Sequence, residues 1–353
     1  MTTLTEVAQR AGVTPATVSN VLRQRGKVGA ATRERVLEAV AALDYRPHLT
    51  ARALAEGSTP TLALMVSSIA NPFYPEFALA AERAARRSGR FLIVCNTNED
   101  PVMLRAYLDQ IAGTLSEGML VMNAKVDFEV LRKTQARGTP VVLCLWERPE
   151  TPPGIPCIAV DFAAAGALAA RHLLELGHRR IGAILAGGLD GVQAPRYEGF
   201  CATLKLEHVA HPDSEVRFTT DSVQGGYQAA VQLLDEHPDL TAIFATNDLP
   251  ALGAMHAAAD RGLRIPEDIS VIGITDIQLA RESRPGLSTV AVPTEAAATL
   301  AVELLEALID GKAGGDAPMQ IAPAPVLVIR ASTGPVRRKK RSRQTVERSR
   351  GKR

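Results

Sequence analysis

Near its N-terminus the chain has the sequence Thr3-Leu-Thr-Glu-Val-Ala-Gln-Arg-Ala-Gly-Val-Thr-Pro-Ala-Thr-Val-Ser-Asn-Val-Leu22, which predicts two short helices joined by a turn. Thr3 and Glu6 have the spacing of a capping box, in which side chains and backbone amides pair at a helix start. Gly12 is expected to end the first helix. Pro15 suits the first position of the second helix, because no hydrogen bond is lost there. This arrangement is typical of a helix-turn-helix.

A third helix is predicted beyond Gly29, because apolar residues recur there at three- and four-residue spacing: Val36, Leu37, Val40 and Leu43. The three helices lie within residues 1–46 and would form a small bundle. The half of the second helix that would enter the DNA major groove carries Pro15, Ala16, Thr17 and Asn20. At this point an unrelated three-helix bundle remains the alternative.

Residues 47–58 form a separate linker, bounded by Pro47 and by Gly57-Ser58. Its centre, 48–56, is rich in helix-forming residues but is too short to be a stable isolated helix. We therefore expect a conditional helix, one that orders only when another surface packs against it.

From Thr61 onward, short apolar strands alternate with helices. The predicted strands are 62–66, 91–95, 118–122, 141–146, 158–160, 181–185, 242–245, 271–274 and 326–329. Such alternation is typical of parallel sheets that are covered on both faces, and these strands are too many for one sheet. We therefore expect an α/β core, residues 59–330, of two doubly wound parallel-sheet lobes. The lobes are about 61–160 with 292–322, and about 161–290 with 323–330. Ligands in such folds bind beyond the carboxyl ends of the strands.

Charge is distributed unevenly along the chain, although the net charge is only +2. Residues 1–58 hold eight Lys/Arg against five Asp/Glu, and residues 331–353 hold ten against one. Residues 59–330 are acidic, with 22 basic and 32 acidic residues. An acidic body with basic ends is typical of a protein with nucleic-acid-binding appendages. Segment 331–353 is almost without apolar residues and is expected to be a disordered basic tail.

Composition and motifs argue against several other classes. No apolar run approaches the roughly 20 residues of a membrane span, and the first residues lack the features of a signal peptide. The four cysteines are far apart, which argues against a disulfide framework or a structural zinc site: Cys95, Cys144, Cys157 and Cys201. No nucleotide-binding loop or hydrolase motif occurs. We expect a cytoplasmic protein that is not an enzyme and that uses no metal or cofactor.

The chain resembles the lactose-repressor (LacI/GalR) family of bacterial transcriptional regulators. In the head the resemblance rests on residues 3–22, Thr32-Arg-Glu-Arg-Val36 and Leu43-Asp-Tyr-Arg-Pro47. In the core it rests, in the family's order, on Asn71-Pro-Phe-Tyr74, Leu176-Gly-His-Arg-Arg-Ile181, Arg196-Tyr-Glu-Gly-Phe200, Thr246-Asn-Asp248 and Gly262-Leu-Arg-Ile-Pro-Glu-Asp-Ile-Ser-Val-Ile-Gly273. The resemblance covers about residues 2–333. It implies a transcriptional regulator, which we expect to be a repressor although an activator stays open, with a periplasmic-binding-protein-like core that binds a small effector, a sugar or an anionic sugar derivative. It also implies a homodimer on a pseudo-palindromic operator, and a tetramer stays open.

By position, the resemblance implies DNA contacts for residues of the first two helices. Base edges would be contacted by Pro15, Ala16 and Asn20, with Leu4 nearby. Phosphates would be contacted by Thr3, Thr14, Thr17, Ser19 and Arg23, and hydroxyl groups suit that role. Because the side chains of Pro15 and Ala16 cannot hydrogen-bond, direct readout would depend on Asn20 and on apolar contact with thymine methyl groups. For Ala16, simple exposure without a role remains the alternative.

The linker matches the hinge of the family, with Ala51, Arg52, Ala53 and Leu54 in register. The resemblance implies that two hinge helices pack in the minor groove, where Leu54 would wedge a central base step and kink the DNA. The alternative is that Leu54 only forms the apolar face of a linker.

For the effector site, between the two lobes, the resemblance implies contacts by Phe73, Trp146, Gln193, Arg196, Asn247, Thr275 and Asp276. Phe73 and Trp146 would stack on a sugar ring, and each could equally belong to the core. Asp276 is the least secure of the set, because it follows the position of the ligand-facing acid.

Two departures from the family bear on the charge of the ligand. Leu145 stands where many members have Asp, and Thr275 stands in the place of the ligand-facing acid. Arg196 then lacks an obvious acidic counterpart, which favours a sugar acid or another small anion over a neutral hexose. In the alternative, an acidic residue pairs with Arg196 and the ligand is neutral; the candidates are Asp161, Asp190 and Asp276.

Two other classes of protein compete with a DNA-binding regulator. The core alone would also suit a periplasmic solute-binding protein, but residues 3–58 and the absence of signal-peptide features argue against that class. An enzyme on the same sheet architecture would need a nucleophile or a metal constellation, and the sequence shows no such pattern.

Overall fold

The computed structural model describes residues 2–22, 26–45, 60–122, 127–147, 154–189, 191, 193–312 and 319–336, with side chains omitted at 145–147. Two compact units are present, Met1–Pro60 and Thr61–Arg353. The first unit is called the head and the second the core.

The head contains three helices: α1 (Leu4–Ala11), α2 (Pro15–Leu22) and α3 (Ala30–Ala42). The capping box is confirmed, because the Thr3 amide donates to Glu6 Oε2 at 2.8 Å and the Glu6 amide donates to Thr3 Oγ1 at 3.3 Å. Gly12 ends α1 in the left-handed conformation, with φ of 64°. The helices enclose one apolar cluster of buried residues: Val7, Ala8, Ala11, Val18, Val21, Val36 and Ala39. The prediction was wrong for Leu37, whose side chain is 49% exposed on the outer side of α3.

Lobe 1 of the core is built on β1 (Thr61–Val66), β2 (Phe91–Asn96), β3 (Gly118–Met122), β4 (Val141–Glu147), β5 (Cys157–Val160) and β11 (Met319–Ile321). These strands form one parallel sheet in the order β11-β5-β4-β3-β1-β2. The helices of this lobe are α4 (Phe73–Arg87), α5 (Pro101–Ile111), α6 (Phe128–Ala136) and α12 (Thr294–Ile309). Strand β3 is buried along its whole length, as expected for a sheet that is covered on both faces.

Lobe 2 is built on β6 (Ile181–Ala186), β7 (Val216–Thr219), β8 (Ala242–Ala245), β9 (Ser270–Thr275), β10 (Ser288–Ala291) and β12 (Val326–Val328). The sheet order is β12-β10-β9-β8-β6-β7. Its helices are α7 (Phe162–Glu175), α8 (Ala194–Leu206), α9 (Val223–Glu236), α10 (Asp248–Asp260) and α11 (Gln278–Glu282). The edge strand β12 pairs antiparallel with β10, so the sheet is mostly but not wholly parallel.

Helices α7 and α8 lie in direct backbone contact. A Cβ atom on Gly166 of α7 would lie 1.7 Å from the carbonyl oxygen of Arg196, and one on Gly199 of α8 would lie 1.9 Å from that of Ala163. Because real Cβ atoms do not approach backbone so closely, only glycine fits at both positions. This contact fixes the position of Arg196, a residue of α8, relative to α7.

The last described residues, 331–336, form a segment that we call the C-terminal strap. The Val271 amide donates to the Ser332 carbonyl at 2.8 Å, and the Val336 amide donates to the Leu176 carbonyl at 3.0 Å. Ser332 is fully buried. A tail that begins at residue 331 was therefore a wrong prediction, because the strap belongs to lobe 2. Residues 337–353, with all ten basic residues of the tail, lie outside the described residues.

Among the described helices, none is both long and apolar enough to cross a membrane. The four cysteines are not disulfide-bonded.

Candidate DNA interface and effector cleft

The face of α2 that was predicted to bind DNA is exposed, because the opposite face holds α2 in the head. Val18 and Val21 point into the apolar cluster and are at most 2% exposed. The residues left at the surface are Thr14, Pro15, Ala16 and Asn20, with Thr17 and Ser19 half-buried. Thr14 caps the helix, since its Oγ1 accepts from the Thr17 amide at 3.2 Å.

The start of α1 lies in the same unit and carries two further DNA-binding candidates of the head. Thr3 is exposed, whereas Leu4 is half-buried and packs on the apolar cluster. Arg23 lies outside the described residues, as do the hinge residues Ala51, Arg52 and Leu54. Their roles stay predictions.

The cleft of the core lies where the two lobes meet. Asn71, which follows β1 of lobe 1, donates from Nδ2 to Oδ2 of Asp221 at 2.9 Å. Asp221 follows β7 of lobe 2, so the carboxyl ends of strands from both lobes meet here. A second contact joins the Gln278 amide of lobe 2 to Glu76 Oε1 of lobe 1 at 2.8 Å. The cleft is therefore where a ligand of such a fold is expected.

Arg196 is a buried cation in this cleft, with 5% of its surface exposed. Its Nη1 donates to the Thr246 carbonyl at 2.7 Å and to Oδ1 of Asn247. The guanidinium lies over the ring of Phe162, with 4.4 Å from Cζ to the ring centroid. A planar, weakly hydrated guanidinium suits such stacking.

Asp221 supplies the acidic partner that the sequence analysis did not find. Asn247 connects it to Arg196, donating from Nδ2 to Asp221 Oδ2 at 2.6 Å. Gln193 donates to the same oxygen from Nε2 at 3.3 Å, and its Oε1 accepts from the Thr246 hydroxyl at 2.6 Å. Burial raises the pKa of the Asp221 carboxyl, against the opposing effects of the Asn247 hydrogen bond and the Arg196 charge.

Arg196 is therefore not a cation without an acidic counterpart, as the case for an anionic ligand assumed. Arg196 has a carboxylate within its own hydrogen-bond network, so its charge does not require an anion from outside. Asp161 caps α7 by accepting from the Ala164 amide at 2.7 Å, and Asp190 lies outside the described residues.

Asp276 is held by two arginines of lobe 2 rather than by Arg196. Arg330 Nη2 donates to Asp276 Oδ1 at 2.5 Å, and Arg281 Nη2 donates to Asp276 Oδ2 at 3.1 Å. Asp276 was one of three alternative partners for Arg196, and its carboxylate is instead paired with Arg281 and Arg330. With both oxygens engaged, the Asp276 carboxylate offers little to a ligand.

Thr275 is turned toward a buried carboxylate. Its side chain is 6% exposed, and its hydroxyl donates to Asp248 Oδ2 at 3.1 Å. Asp248 also accepts from the Thr289 hydroxyl at 2.6 Å and from the Ile277 amide at 3.0 Å. Burial raises the pKa of Asp248 to about 6, although these hydrogen bonds lower it. This cluster joins the end of β9 to β10 and α10.

The two aromatic candidates for the effector site, Phe73 and Trp146, both belong to lobe 1. Phe73 lies at the start of α4, is half-buried, and packs against apolar clusters of both lobes. Its backbone amide donates to Asn71 Oδ1 at 3.1 Å, so Asn71 contacts both the first residue of α4 and Asp221. Trp146 lies near the carboxyl end of β4, and its side chain is outside the described residues.

Each of the two units of the chain matches a known protein family. A family model described as "Bacterial regulatory proteins, lacI family" matches residues 3–48, and one described as "Periplasmic binding protein-like domain" matches residues 170–333. The HTH-type transcriptional repressor PurR of Haemophilus influenzae (strain PittEE) is 34% identical over 292 residues, which are 82% of this chain and 86% of that protein.

Solved structures show the same architecture. The lac repressor dimer bound to operator and the anti-inducer ONPF has a TM-score of 0.83 and 28% identity, over 94% of this chain and 99% of that chain. The complex of the transcriptional regulator CelR with cellobiose has a TM-score of 0.70 and 28% identity, over 94% of this chain and 100% of that chain.

A helix-turn-helix head and a core of two α/β lobes around a polar cleft define a transcriptional regulator with a metabolite-binding domain. The similarity extends over most of the chain, and the relatives are named as regulators rather than enzymes. The chain belongs to the lactose-repressor family of bacterial transcriptional regulators.

Proposed function

We propose that the protein represses transcription as a homodimer on a pseudo-palindromic operator, and that a small sugar-like metabolite in the cleft controls its affinity for DNA. One observation carries this proposal. A single chain combines the exposed polar face of α2 with the buried polar network of Arg196, Asn247 and Asp221 in the cleft.

In the head, Asn20 would read a base, and Pro15 and Ala16 would contact thymine methyl groups. Further support for DNA contact comes from the hydroxyl groups around α2, those of exposed Thr14 and of half-buried Thr17 and Ser19, which suit phosphate oxygens. Leu54 and its neighbours in the linker would add a minor-groove contact that bends the operator. Residues 337–353 would raise general DNA affinity through counterion release, since they carry ten basic residues.

The dimer is supported by apolar side chains that lobe 1 leaves at its surface. They belong to one edge strand and two helices: Leu79, Phe91, Val94, Val102 and Met103, each at least 39% exposed. Large apolar side chains left exposed in this number suit a protein–protein interface. A two-fold dimer would present two heads to the two halves of a symmetric operator.

The effector is proposed to bind between the lobes, in contact with Phe73, Trp146, Gln193, Arg196 and Asn247. A related structure holds cellobiose, which supports a sugar-like ligand for this chain. The ligand would change the contacts across the cleft, and those contacts connect lobe 2 to the lobe that the linker enters at Thr61.

Selection of bound sequences from random DNA by the full chain tests the proposed function. We expect a site with two-fold symmetry. Asn20→Ala should relax the preference at one position in each half-site, by about 1–3 kcal/mol of base discrimination. Glu38→Ala, an exposed change on α3, serves as the control and should leave the preference intact. Sequence-independent binding by the unmodified chain would contradict the proposal.

A further inference from the structure

The carboxylate of Asp221 is the central acceptor of the cleft, and its two oxygens are in unequal surroundings. Oδ2 accepts from three side-chain amides: Asn71 at 2.9 Å, Gln193 at 3.3 Å and Asn247 at 2.6 Å. Oδ1 is buried, and none of the described residues donates a hydrogen bond to it. One half of the carboxylate is thus saturated by the protein, and the other half is not.

A buried carboxylate oxygen without a donor is costly, because its hydration has been lost without replacement. Buried polar groups in folded proteins are almost always hydrogen-bonded, so an exception requires an explanation. Asp221 Oδ1 is one of several such atoms among the described residues, and it lies between the lobes, beside the residues that the proposed function assigns to the effector. The simplest explanation is that a ligand supplies the donor.

The cations of the region are already engaged. Arg196 is bound to Thr246 and Asn247 and stacks on Phe162. Arg281 and Arg330 hold both oxygens of Asp276. A carboxylate or phosphate placed at Asp221 Oδ1 would meet a second negative charge at hydrogen-bond distance, and in a low-dielectric site such repulsion is strong. A neutral hydroxyl would bind favourably at the same oxygen, because hydrogen bonds to an ionised acceptor are among the strong ones.

We propose that Asp221 is the residue that selects the charge of the effector, by accepting a hydrogen bond at Oδ1 from an uncharged hydroxyl of a sugar. This inference rests on the proposed function, since it assumes that the cleft is the effector site. It reverses the expectation of an anionic ligand that the two departures from the family, Leu145 and Thr275, had favoured.

Asn71 connects the proposed contact at Asp221 with lobe 1, on the other side of the cleft. Its side-chain amide donates to Asp221 of lobe 2, and its Oδ1 accepts from the backbone amide of Phe73, the first residue of α4 in lobe 1. Two hydrogen bonds, from Asn71 to Asp221 and from the Phe73 amide to Asn71, therefore connect the proposed ligand contact with the helix start of lobe 1.

Thermal-shift measurements on the full chain, followed by calorimetry, test the proposal with matched sugars that differ in charge. The probes are glucose, galactose, ribose and cellobiose, with glucuronate and galacturonate as the acids that match the two hexoses. We expect at least one neutral sugar to stabilise the protein. Where a neutral hexose binds, its uronic acid should bind at least tenfold more weakly. Tighter binding of an acid than of its neutral partner would overturn the assignment, and this comparison needs no variant.

Two variants test whether the difference between neutral and acidic sugars depends on Asp221. Asp221→Asn should weaken binding of the neutral sugar at least tenfold and should narrow the difference between neutral sugar and acid. Asp213→Asn, an exposed change in the same lobe, is the matched control and should alter neither value. Unchanged sugar affinity in folded Asp221→Asn would overturn the role of this carboxylate.

Operator selection separates the two proposals. If the unmodified chain selects a symmetric site but binds only acids, or none of the sugars, the assignment to Asp221 fails while the regulator function stands. If no symmetric site is selected, the proposed function itself fails.

Discussion

The head and the cleft place their functional residues in opposite environments. In the head, the residues proposed to contact DNA are exposed or half-buried, and a separate set of buried residues such as Val18 and Val21 holds α2. In the cleft, Arg196, Asn247 and Asp221 are the functional candidates and are also bonded to one another within the interior. Function and stability are therefore separable in the head and coupled in the cleft.

The largest expected effect tests how rigidly the cleft is supported. Gly166→Ala would place a methyl group inside the backbone of α8, so α7 and α8 must separate. We expect the free energy of unfolding to fall by about 3 kcal/mol or more. Gly286→Ala is the control, because a Cβ there would meet Arg330 at an ordinary 3.4 Å. Urea unfolding measures both, and equal values for the two variants would show that α7 and α8 are not locked together.

A matched pair of asparagines tests the comparison directly. Asn247→Ala removes both a contact of Arg196 and the 2.6 Å donor of Asp221, and should cost about 2 kcal/mol of stability. Asn20→Ala lies at the exposed surface of α2 and should change stability by no more than about 0.5 kcal/mol, although it relaxes DNA specificity. Urea unfolding of both variants is the measurement. Similar losses would show that the head is as coupled as the cleft.

The smallest effect is a pH dependence that arises from Asp248. Its pKa of about 6 in the folded state lies above the value of an exposed carboxyl, so the folded state binds a proton that the unfolded state has released. The stabilisation that this bound proton provides is therefore present at low pH and is lost as the pH rises through 6. Relative to Asp248→Asn, the unmodified chain should gain up to about 1.4 kcal/mol for each pH unit between 6 and the ordinary aspartate pKa of about 4, and nothing further below it. Denaturant unfolding at pH 7, 6 and 5 measures the difference, and a constant difference would contradict the shifted pKa.

The same contrast explains what could be predicted from the sequence. The head was predictable because caps, turn and apolar spacing all lie within 20 residues of one another. The long buried strands β1, β3 and β6 were predictable because they are continuous apolar runs. Strands β7, β10 and β11 were not predicted: β7 and β11 are short edge strands, and β10 begins with Ser288 and Thr289, which are polar although fully buried.

The missed strand β7 explains the missed site residue. Asp221 follows β7 directly, and without that strand nothing indicated that a carboxylate would lie at the cleft. The network that contains it joins residues 71, 193, 221 and 247, which only the tertiary fold brings together. Spacing along the chain carries no signal for such a set.

The late position of β11, β12 and the C-terminal strap has a consequence for biosynthesis. The ribosome delivers the head first, and all three of its helices are complete by residue 42. Both sheets of the core, in contrast, lack an edge strand until residues 319–328 have emerged, and lobe 2 also lacks the strap. Domains generally fold as they are synthesised, so the DNA reader can form long before the sensor is finished. A product that terminates early, before Met319, would keep an intact helix-turn-helix beside two unfinished lobes. Such a fragment would keep its DNA-binding domain but would lack control by a metabolite.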